Sequence, residues 1–186
     1  MSWDFLKEVL EGLCFPSRFI QWVIECVTSP TYTAFNGSIH GFFKGGKGLR
    51  QGDPLSPFLF VFCLKYFSRM VKTVSNGSEL KFHPNCGPLK ITHLAFADDL
   101  MLFARGDVIS MQILMDCLFN FGLASGSRMN ILKSSLFTTG IHGQELDDIL
   151  EFTNFQRVLC HSIIWVSLLL RKCSKLVVML CFLKKL

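Results

Sequence analysis

Apolar side chains recur at helical spacing over the first part of the chain. Residues 4–14 place five apolar side chains on one face and charged side chains on the opposite face, which predicts an amphipathic helix. Pro16 and Ser17 interrupt the pattern, and the same spacing resumes over residues 18–27, which predicts a second helix. The chain therefore begins with two helices that each have one apolar face.

The period of the pattern then changes to that of strands. Residues 32–35 and 38–43 flank Asn36 and Gly37, a dipeptide that tolerates positive φ and favours a tight type I′ hairpin. The sequence therefore predicts a two-stranded hairpin after the helices.

A glycine-rich loop leads from this hairpin into a third helix. We expect that helix over residues 58–74, with Asp53 or Ser56 as its N-terminal cap, because each is followed by a proline that suits the first helical position. Its first half is apolar nearly all round, which predicts that this half is buried.

The rest of the body alternates between strand and helix patterns. Residues 91–97 and 100–104 are short apolar runs that predict a hairpin in the middle of a sheet. A helix over 108–123, a strand over 136–139 and a helix over 144–152 follow. We expect Ile109, Ile113, Leu114, Cys117, Leu118 and Phe121 to face inward on the first of these helices. The alternation predicts a mixed fold of the α/β or α+β kind.

The tail differs from the body in composition. Residues 1–157 contain 14 Lys and Arg against 14 Asp and Glu, so five basic residues in 158–186 supply the whole net charge of +5. The tail has no Gly, Pro or acid, and its apolar stretch over 158–170 is shorter than the ~20 residues that span a bilayer. A peripheral membrane helix remains an alternative for the tail, although we do not expect membrane association. The net charge thus indicates nothing about what the body binds.

The cysteines and the N-terminus indicate where in the cell the protein is expected. The eight cysteines include no C-x-x-C pair and no histidine at zinc spacing, which favours reduced thiols over a zinc site or a disulfide framework. The N-terminus lacks the apolar region of a secretory signal. We therefore expect an intracellular protein, nuclear or cytoplasmic.

Asp98 and Asp99 are the strongest candidates for chemistry. Two adjacent carboxylates between apolar strands are costly unless a cation or a hydrogen-bond network compensates. Oxygen ligands on a turn suit Mg²⁺, which leaves coordination positions open for water and phosphate. The alternative is a polar hairpin turn without a metal, because Asp is common in turns.

Two further segments contain groups that can bind phosphate. In the glycine-rich loop, Arg50 can pair with phosphate, Gln51 can hydrogen-bond a base or sugar edge, and Gly52 lets the backbone approach a ligand closely. Lys133 offers an amine that can reach a phosphate or donate a proton. Taken alone, the loop is also compatible with an ordinary helix cap, and Lys133 with a solvated side chain.

Taken in order, three segments resemble the palm motifs of LINE-type reverse transcriptases, the non-long-terminal-repeat retrotransposon class. They are Gly-Leu-Arg-Gln-Gly-Asp-Pro-Leu-Ser-Pro-Phe-Leu-Phe at 48–60, Leu-Ala-Phe-Ala-Asp-Asp at 94–99, and Ser-Gly-x-x-x-Asn-x-x-Lys-Ser at 125–134. The resemblance implies a palm-like fold with a small antiparallel sheet backed by helices. It also implies an RNA-directed DNA polymerase that uses an RNA template, a DNA primer and deoxynucleoside triphosphates.

The same resemblance implies roles for individual residues. Asp98 would be the principal ligand and Asp99 the secondary ligand of Mg²⁺, with Mn²⁺ as a substitute. Arg50, Gln51 and Gly52 would contact template and incoming nucleotide, and Lys133 would assist the departure of pyrophosphate. The implied chemistry is two-metal phosphoryl transfer.

One departure from the family pattern bears on activity. The family has a further catalytic Asp, in an Ala-Tyr-Asp or Ala-Phe-Asp segment, four residues before the tryptophan that matches Trp3, a position upstream of Met1. Asp4 does not replace it, because Asp4 follows the tryptophan and lies in the first turn of the predicted helix. We therefore expect no polymerase activity from this chain alone. The alternative is a non-catalytic nucleic-acid-binding or interaction protein that keeps the fold.

We divide the chain into a partial palm domain, 1–157, and a basic apolar tail, 158–186, that is not a domain. Relatives continue after residue 157 into Leu-Pro-Phe-x-Tyr-Leu-Gly-x-Pro. One permitted coding of residues 160–168, read from its third nucleotide, gives Pro-Phe-His-Tyr-Leu-Gly-Phe-Pro. The tail is thus predicted to be a frameshifted segment that packs poorly on the body, and the nucleotide sequence of the gene would test this.

Overall fold

The fold is described from a computed structural model of the chain. The structure describes residues 1–35, 39–77, 79–83, 86–96, 99–158 and 176–184. Within these ranges, the predicted mixture of helices and a small sheet is confirmed.

The first two helices form where the spacing predicts them. Helix α1 is Trp3–Gly12, and the hydroxyl of Ser2 caps it by accepting a hydrogen bond from the Phe5 N–H at 3.2 Å. Helix α2 is Ser17–Thr28, and it packs against α1. Both helices bury one apolar stripe, as amphipathic surface helices do.

The predicted hairpin follows as an isolated two-stranded sheet. Strand β1 is Thr31–Phe35 and strand β2 is Ile39–Lys44, paired antiparallel with Phe35 opposite Ile39. The type I′ turn predicted at Asn36 and Gly37 lies outside the described residues.

Helix α3, Ser56–Ser75, starts differently from the prediction. Its N-cap is Leu55, which makes no side-chain capping hydrogen bond, so the prediction of Asp53 or Ser56 as the cap was wrong. The Asp53 carboxylate instead accepts a hydrogen bond from the Leu55 N–H at 2.9 Å, just before the helix. The first half is also less buried than predicted, because other elements cover only the side of the helix that carries Leu59 and Cys63.

The remaining elements form the main sheet and the helices beside it. They are β3 (His93–Phe96), β4 (Asp99–Arg105), α4 (Val108–Ser125), β5 (Arg128–Met129), β6 (Ser135–Thr139), α5 (Gln144–Thr153), β7 (Gln156–Arg157) and β8 (Leu176–Lys184). Short 3-10 turns lie at Gly87–Leu89 and Ile131–Lys133.

The strands of the main sheet lie in the order β3-β4-β8-β6-β7, and β5 pairs with the end of β8. All pairings are antiparallel except that of β6 with β7. The predicted hairpin of β3 and β4 is confirmed, but only β4 lies inside the sheet. The prediction that both strands are central was wrong for β3, which is an edge strand and exposes Leu94, Ala95 and Phe96.

Strand β8 comes from the tail and lies in the centre of the sheet. It pairs with β4 on one side and with β6 on the other. This arrangement differs from the expectation that the tail packs poorly on the body. The proposed domain boundary at residue 157 and the proposed frameshift remain predictions.

The core lies between the helices and one face of the sheet. Across the sheet, Leu102, Met179 and Leu136 form a row of paired positions that are all buried. On the helical side, the rings of Phe5, Phe67 and Phe121 meet edge to face, with centroids 5.4–5.9 Å apart along the Phe5–Phe121 and Phe121–Phe67 contacts. These contacts tie α1, α3 and α4 to one another.

Helix α4 is the one helix in the described part of the chain that is long and apolar enough, by length and composition, to cross a membrane. It buries Met111, Leu114, Cys117, Leu118 and Phe121 against neighbouring elements, as the core helix of a folded domain does. The prediction that Ile109 faces inward was wrong, because its side chain is 55% exposed.

Candidate functional site

One of the two predicted carboxylates, Asp99, lies in the hairpin of β3 and β4. Asp99 is the first residue of β4 and pairs with Phe96 across the hairpin. Its other neighbour in the sheet is Phe182 of β8. The side chain of Asp99 is partly exposed. Asp98 lies outside the described residues.

The glycine-rich loop is held by the N-terminal residues. The Gly48 N–H donates to the Met1 carbonyl at 2.8 Å, and the Trp3 indole N–H donates to the Gly48 carbonyl at 2.8 Å. Gly48 and Gly52 have φ values of 96° and 84°, a region that residues with a Cβ rarely adopt. These two contacts and the two turns present Arg50 and Gln51 to solvent.

A cavity of about 810 Å³ opens between this loop, helix α3 and strand β3. Arg50, Gln51 and Gly52 all line it, so the structure brings the three predicted binding residues together. The opposite wall contains Phe96, which is 82% exposed and is separated from Asp98 by one residue in the sequence. The loop and the strand that leads into the carboxylates therefore share one cleft.

Lys133 lies apart from this cleft. It ends the 3-10 turn Ile131–Lys133, and its side chain is exposed. The Ser134 N–H and hydroxyl both donate to the Asn130 carbonyl, at 3.0 and 2.8 Å, which fixes the turn. Neither Lys133 nor Asp99 is among the described residues that line the cavity.

Sequence reasoning missed several residues that line the cavity, among them three with polar side chains. Lys65 and Ser68 of α3 and His93 of β3 all contribute to its wall. A signal for Lys65 and Ser68 was present, because they follow Val61 and Leu64 at helical spacing on the side that faces the loop. No pattern in the sequence distinguishes His93, because its position depends on how β3 meets α3.

His93 sits in an environment that favours its neutral form. Burial lowers its pKa below the ordinary 6.5. Its ring meets the edge of Phe67 at a centroid distance of 5.6 Å, and its Nδ1 lies 3.0 Å from the Thr92 hydroxyl. A neutral imidazole at the cavity wall can donate or accept a hydrogen bond without adding charge.

Two buried cysteines, Cys63 and Cys117, are not placed for nucleophilic chemistry. Burial raises the pKa of Cys63 to about 12 and also raises the pKa of Cys117, so both remain thiols at neutral pH. Within the described ranges, no group of three His, Cys, Asp or Glu side chains is arranged to hold a metal ion.

Known proteins similar to this chain include retrotransposon polyproteins. A family model described as "Reverse transcriptase (RNA-dependent DNA polymerase)" matches residues 1–168, a range that ends inside the tail. An uncharacterized mitochondrial protein of Arabidopsis thaliana is 33% identical over 106 residues, which are 56% of this chain and 86% of that protein.

Two retrovirus-related Pol polyproteins from retrotransposable elements are also similar. That of the type-2 element R2DM of Drosophila melanogaster is 33% identical over 150 residues, 77% of this chain and 13% of the polyprotein. That of the type-1 element R2 of Popillia japonica is 35% identical over 98 residues, 52% of this chain and 13% of the polyprotein. The matched regions are thus a small part of each polyprotein.

These matches agree with the resemblance that the three sequence motifs carry. The family model covers most of the chain, including the glycine-rich loop and the carboxylate pair. The chain belongs to the reverse transcriptase (RNA-dependent DNA polymerase) family, and its similarity to retrotransposon polyproteins confirms the non-long-terminal-repeat class.

Proposed function

We propose that this chain forms the palm part of a template-directed nucleotidyl-transfer site that binds a primer–template and nucleotide. The observation that supports it is the shared cleft. One cavity joins Arg50, Gln51 and Gly52 to the end of β3, which one residue separates from Asp98 and Asp99 in the sequence. A cleft that combines a guanidinium, an amide and an adjacent carboxylate pair suits a polyanionic substrate that carries a metal ion.

The donor set fits a divalent metal only in part. Asp98 and Asp99 would hold Mg²⁺ or Mn²⁺ through carboxylate oxygens, the ligands that hard cations prefer. When bound, the metal supplies charge stabilisation for phosphoryl transfer. A third carboxylate is missing from the described residues near Asp99, since β8, its neighbour in the sheet, contains no Asp or Glu. We therefore propose that the chain in this form binds substrate but does not extend a primer.

The side chains of the cleft supply binding and orientation. Arg50 is exposed at the loop and offers two parallel N–H groups to a phosphate. Lys65 adds a second positive charge on the α3 wall. The exposed ring of Phe96 offers an apolar surface on which a base can stack, a contact worth about 1–3 kcal/mol per base. We propose that Gln51 contacts template or nucleotide, and that Lys133, which lies outside the cavity, would assist leaving-group departure only in a site with its full set of metal ligands.

Binding to a labelled RNA–DNA primer–template at increasing salt tests the binding part. We expect Arg50→Ala to weaken binding and to reduce the salt slope by about 0.7–0.9, the effect of losing one phosphate contact. Lys7→Ala is the matched control, because Lys7 is an exposed base on α1. An equal loss in both variants, or no salt dependence, would refute phosphate binding at this cleft.

Primer extension with Mg²⁺ or Mn²⁺ tests the activity part. The chain should give no extension above that of a variant with Asp98→Ala and Asp99→Ala. Extension by the natural chain that disappears in this variant would contradict the proposed inactivity. A second candidate function is a non-catalytic nucleic-acid-binding protein. Nucleic-acid binding that Arg50→Ala weakens, without primer extension, would support this function and the proposed palm site equally. Mn²⁺ binding that depends on Asp99 would support the palm site alone.

A further inference from the structure

The first residues of the chain hold the glycine-rich loop through both backbone polar groups of Gly48. The Gly48 N–H donates to the Met1 carbonyl, and the Gly48 carbonyl accepts from the Trp3 indole N–H, each at 2.8 Å. Gly48 lies close before Arg50 and Gln51 in the sequence. The direction in which these two side chains leave the loop therefore depends on where Gly48 is held.

The loop has little in its own sequence that fixes its conformation. Gly48 and Gly52 have φ values of 96° and 84°, and glycine allows more backbone conformations than any other residue. Inside the described part of the loop, the Asp53 N–H donates to the Arg50 carbonyl at 3.4 Å, which is long for a hydrogen bond of this kind. Contacts from outside the loop must therefore select its conformation.

Trp3 is a rigid support for such a contact. It is the first residue of α1, and the following turn buries Phe5 and Leu6, which are 4% and 0% exposed. The Phe5 ring meets that of Phe121 in α4 at a centroid distance of 5.9 Å. Because α1 is fixed to the core and a tryptophan side chain has few rotatable bonds, the indole N–H is a donor at a defined position.

The same residues hold a second segment of the cavity wall. The Ser2 N–H donates to the Ser125 carbonyl at 2.7 Å, and the chain turns at Gly126, whose φ is 68°. A Cβ at Gly126 would lie 3.5 Å from the Ser2 nitrogen, so this turn packs closely on Ser2. Ser127, after the turn, lines the cavity together with Met1. The loop and the turn thus have one common support.

We propose that Trp3 is a positioning residue for the binding loop: its indole N–H holds the Gly48 carbonyl, so that Arg50 and Gln51 face the ligand in one conformation. Without this hydrogen bond the loop adopts other conformations, and the apparent affinity falls by the fraction of molecules that are ready to bind. The charge of the cleft is unchanged, so the number of phosphate contacts in the complex stays the same. The ligand part rests on the proposed function, whereas the holding of the loop does not.

Amide hydrogen exchange of the full chain tests the holding of the loop. Trp3→Phe keeps an aromatic ring at the start of α1 and removes the N–H donor. It should speed the exchange of the Gly48 amide about fivefold, the effect of losing one neutral hydrogen bond, and leave the amide of the buried Leu10 unchanged. Trp22→Phe is the matched control, because it removes an indole N–H from a ring that is 54% exposed on α2. An unchanged Gly48 amide, or an equal rise at Leu10, would overturn the proposal.

Binding of a labelled RNA–DNA primer–template at increasing salt separates positioning from direct contact. Trp3→Phe should weaken binding about fivefold with an unchanged salt slope, because every cationic side chain of the cleft remains. In a chain that already carries Arg50→Ala, Trp3→Phe should weaken binding by less than about twofold, because the loop has then lost the contact that it positions. Equal losses in the presence and absence of Arg50, or a reduced salt slope in Trp3→Phe, would contradict positioning.

The exchange and binding measurements can fail independently. An unchanged salt slope in Arg50→Ala, together with faster Gly48 exchange in Trp3→Phe, would refute phosphate binding and leave the holding of the loop standing. If Trp3→Phe does not fold, a benzothienyl analogue of tryptophan replaces Trp3, because it keeps the shape of the indole and lacks the N–H. Faster Gly48 exchange in that protein supports the proposal, and unchanged exchange overturns it.

Discussion

Apolar side chains are buried in the core but exposed at the face that lines the cavity. In the core, Phe67 and Phe121 are completely buried and meet each other edge to face. At the cavity face, Val61 and Phe96 are 59% and 82% exposed. The core side chains therefore contribute to the stability of the fold, whereas those at the cavity face remain accessible to a ligand. An exposed apolar patch next to charged groups is typical of a binding surface.

The largest expected effect is on the core side of this comparison. Phe121→Ala should lower the free energy of unfolding by about 3–5 kcal/mol, because it removes a fully buried ring that contacts Phe5 and Phe67. The matched control is Phe119→Ala on the same helix, where the ring is 66% exposed, and it should change stability by less than about 0.5 kcal/mol. Urea unfolding measures both, and similar losses in the two variants would contradict the described packing.

A smaller effect on stability is expected at the N-termini of α4, on the core side, and α3, on the cavity side. The Asp107 carboxylate caps the core helix α4 by accepting hydrogen bonds from the Ser110 N–H and hydroxyl, each at 3.0 Å. Asp107→Ala should therefore cost about 1 kcal/mol. Asp53→Ala, at the cavity side of α3, should cost less than about 0.5 kcal/mol because Asp53 is not the N-cap. Thermal unfolding can compare the two, and the reverse order would contradict it.

Acid should destabilise the fold through a buried histidine, His83. Burial lowers the folded-state pKa of His83 below 6.5, so the unfolded chain binds a proton more readily than the folded chain does. Stability from this group is complete above pH 6.5 and is lost as the pH falls through the lower folded pKa. Urea unfolding should show this loss, and His83→Gln should reduce it more than His142→Gln, whose side chain is exposed. Equal pH dependence in both variants would refute the assignment.

The smallest effect on stability is expected at the cavity face itself. Val61→Ser with Phe96→Ser should change the free energy of unfolding by less than about 0.5 kcal/mol. The same pair should reduce the binding of a hydrophobic dye by roughly half, because it removes exposed apolar surface. Phe119→Ser, outside the cavity lining in the described structure, is the control. Unchanged dye binding would indicate that this face is not the accessible apolar surface.

The spacing of apolar residues predicted where helices and strands lie better than it predicted which of their faces are covered. Helix α1 and the hairpin that contains Asp99 were both predictable, because the spacing of apolar residues within each segment indicates its type. The exposure of Ile109 and Val61 was not, because an apolar helix surface does not reveal which side other elements cover. The grouping of Arg50 with Phe96 in one cleft was not predicted, because it depends on how the loop, α3 and β3 pack together.

The central place of β8 was the least predictable feature. Its residues were expected to pack poorly, yet they pair with two strands far away in the sequence. Pairing of this kind depends on which strand edges are left open by the rest of the chain, and no local period records it. The sequence of β8 itself supplies only an apolar, strand-forming segment.

This topology also sets an order of events during synthesis. A ribosome adds about 5–20 residues per second, so β4 and β6 leave the exit tunnel seconds before β8 does. During that interval the nascent chain carries two strand edges that lack their common partner. Open edges of this kind recruit other strands, so the vulnerable species is the growing chain, and chaperone demand should peak after β6 and before β8 leaves the tunnel.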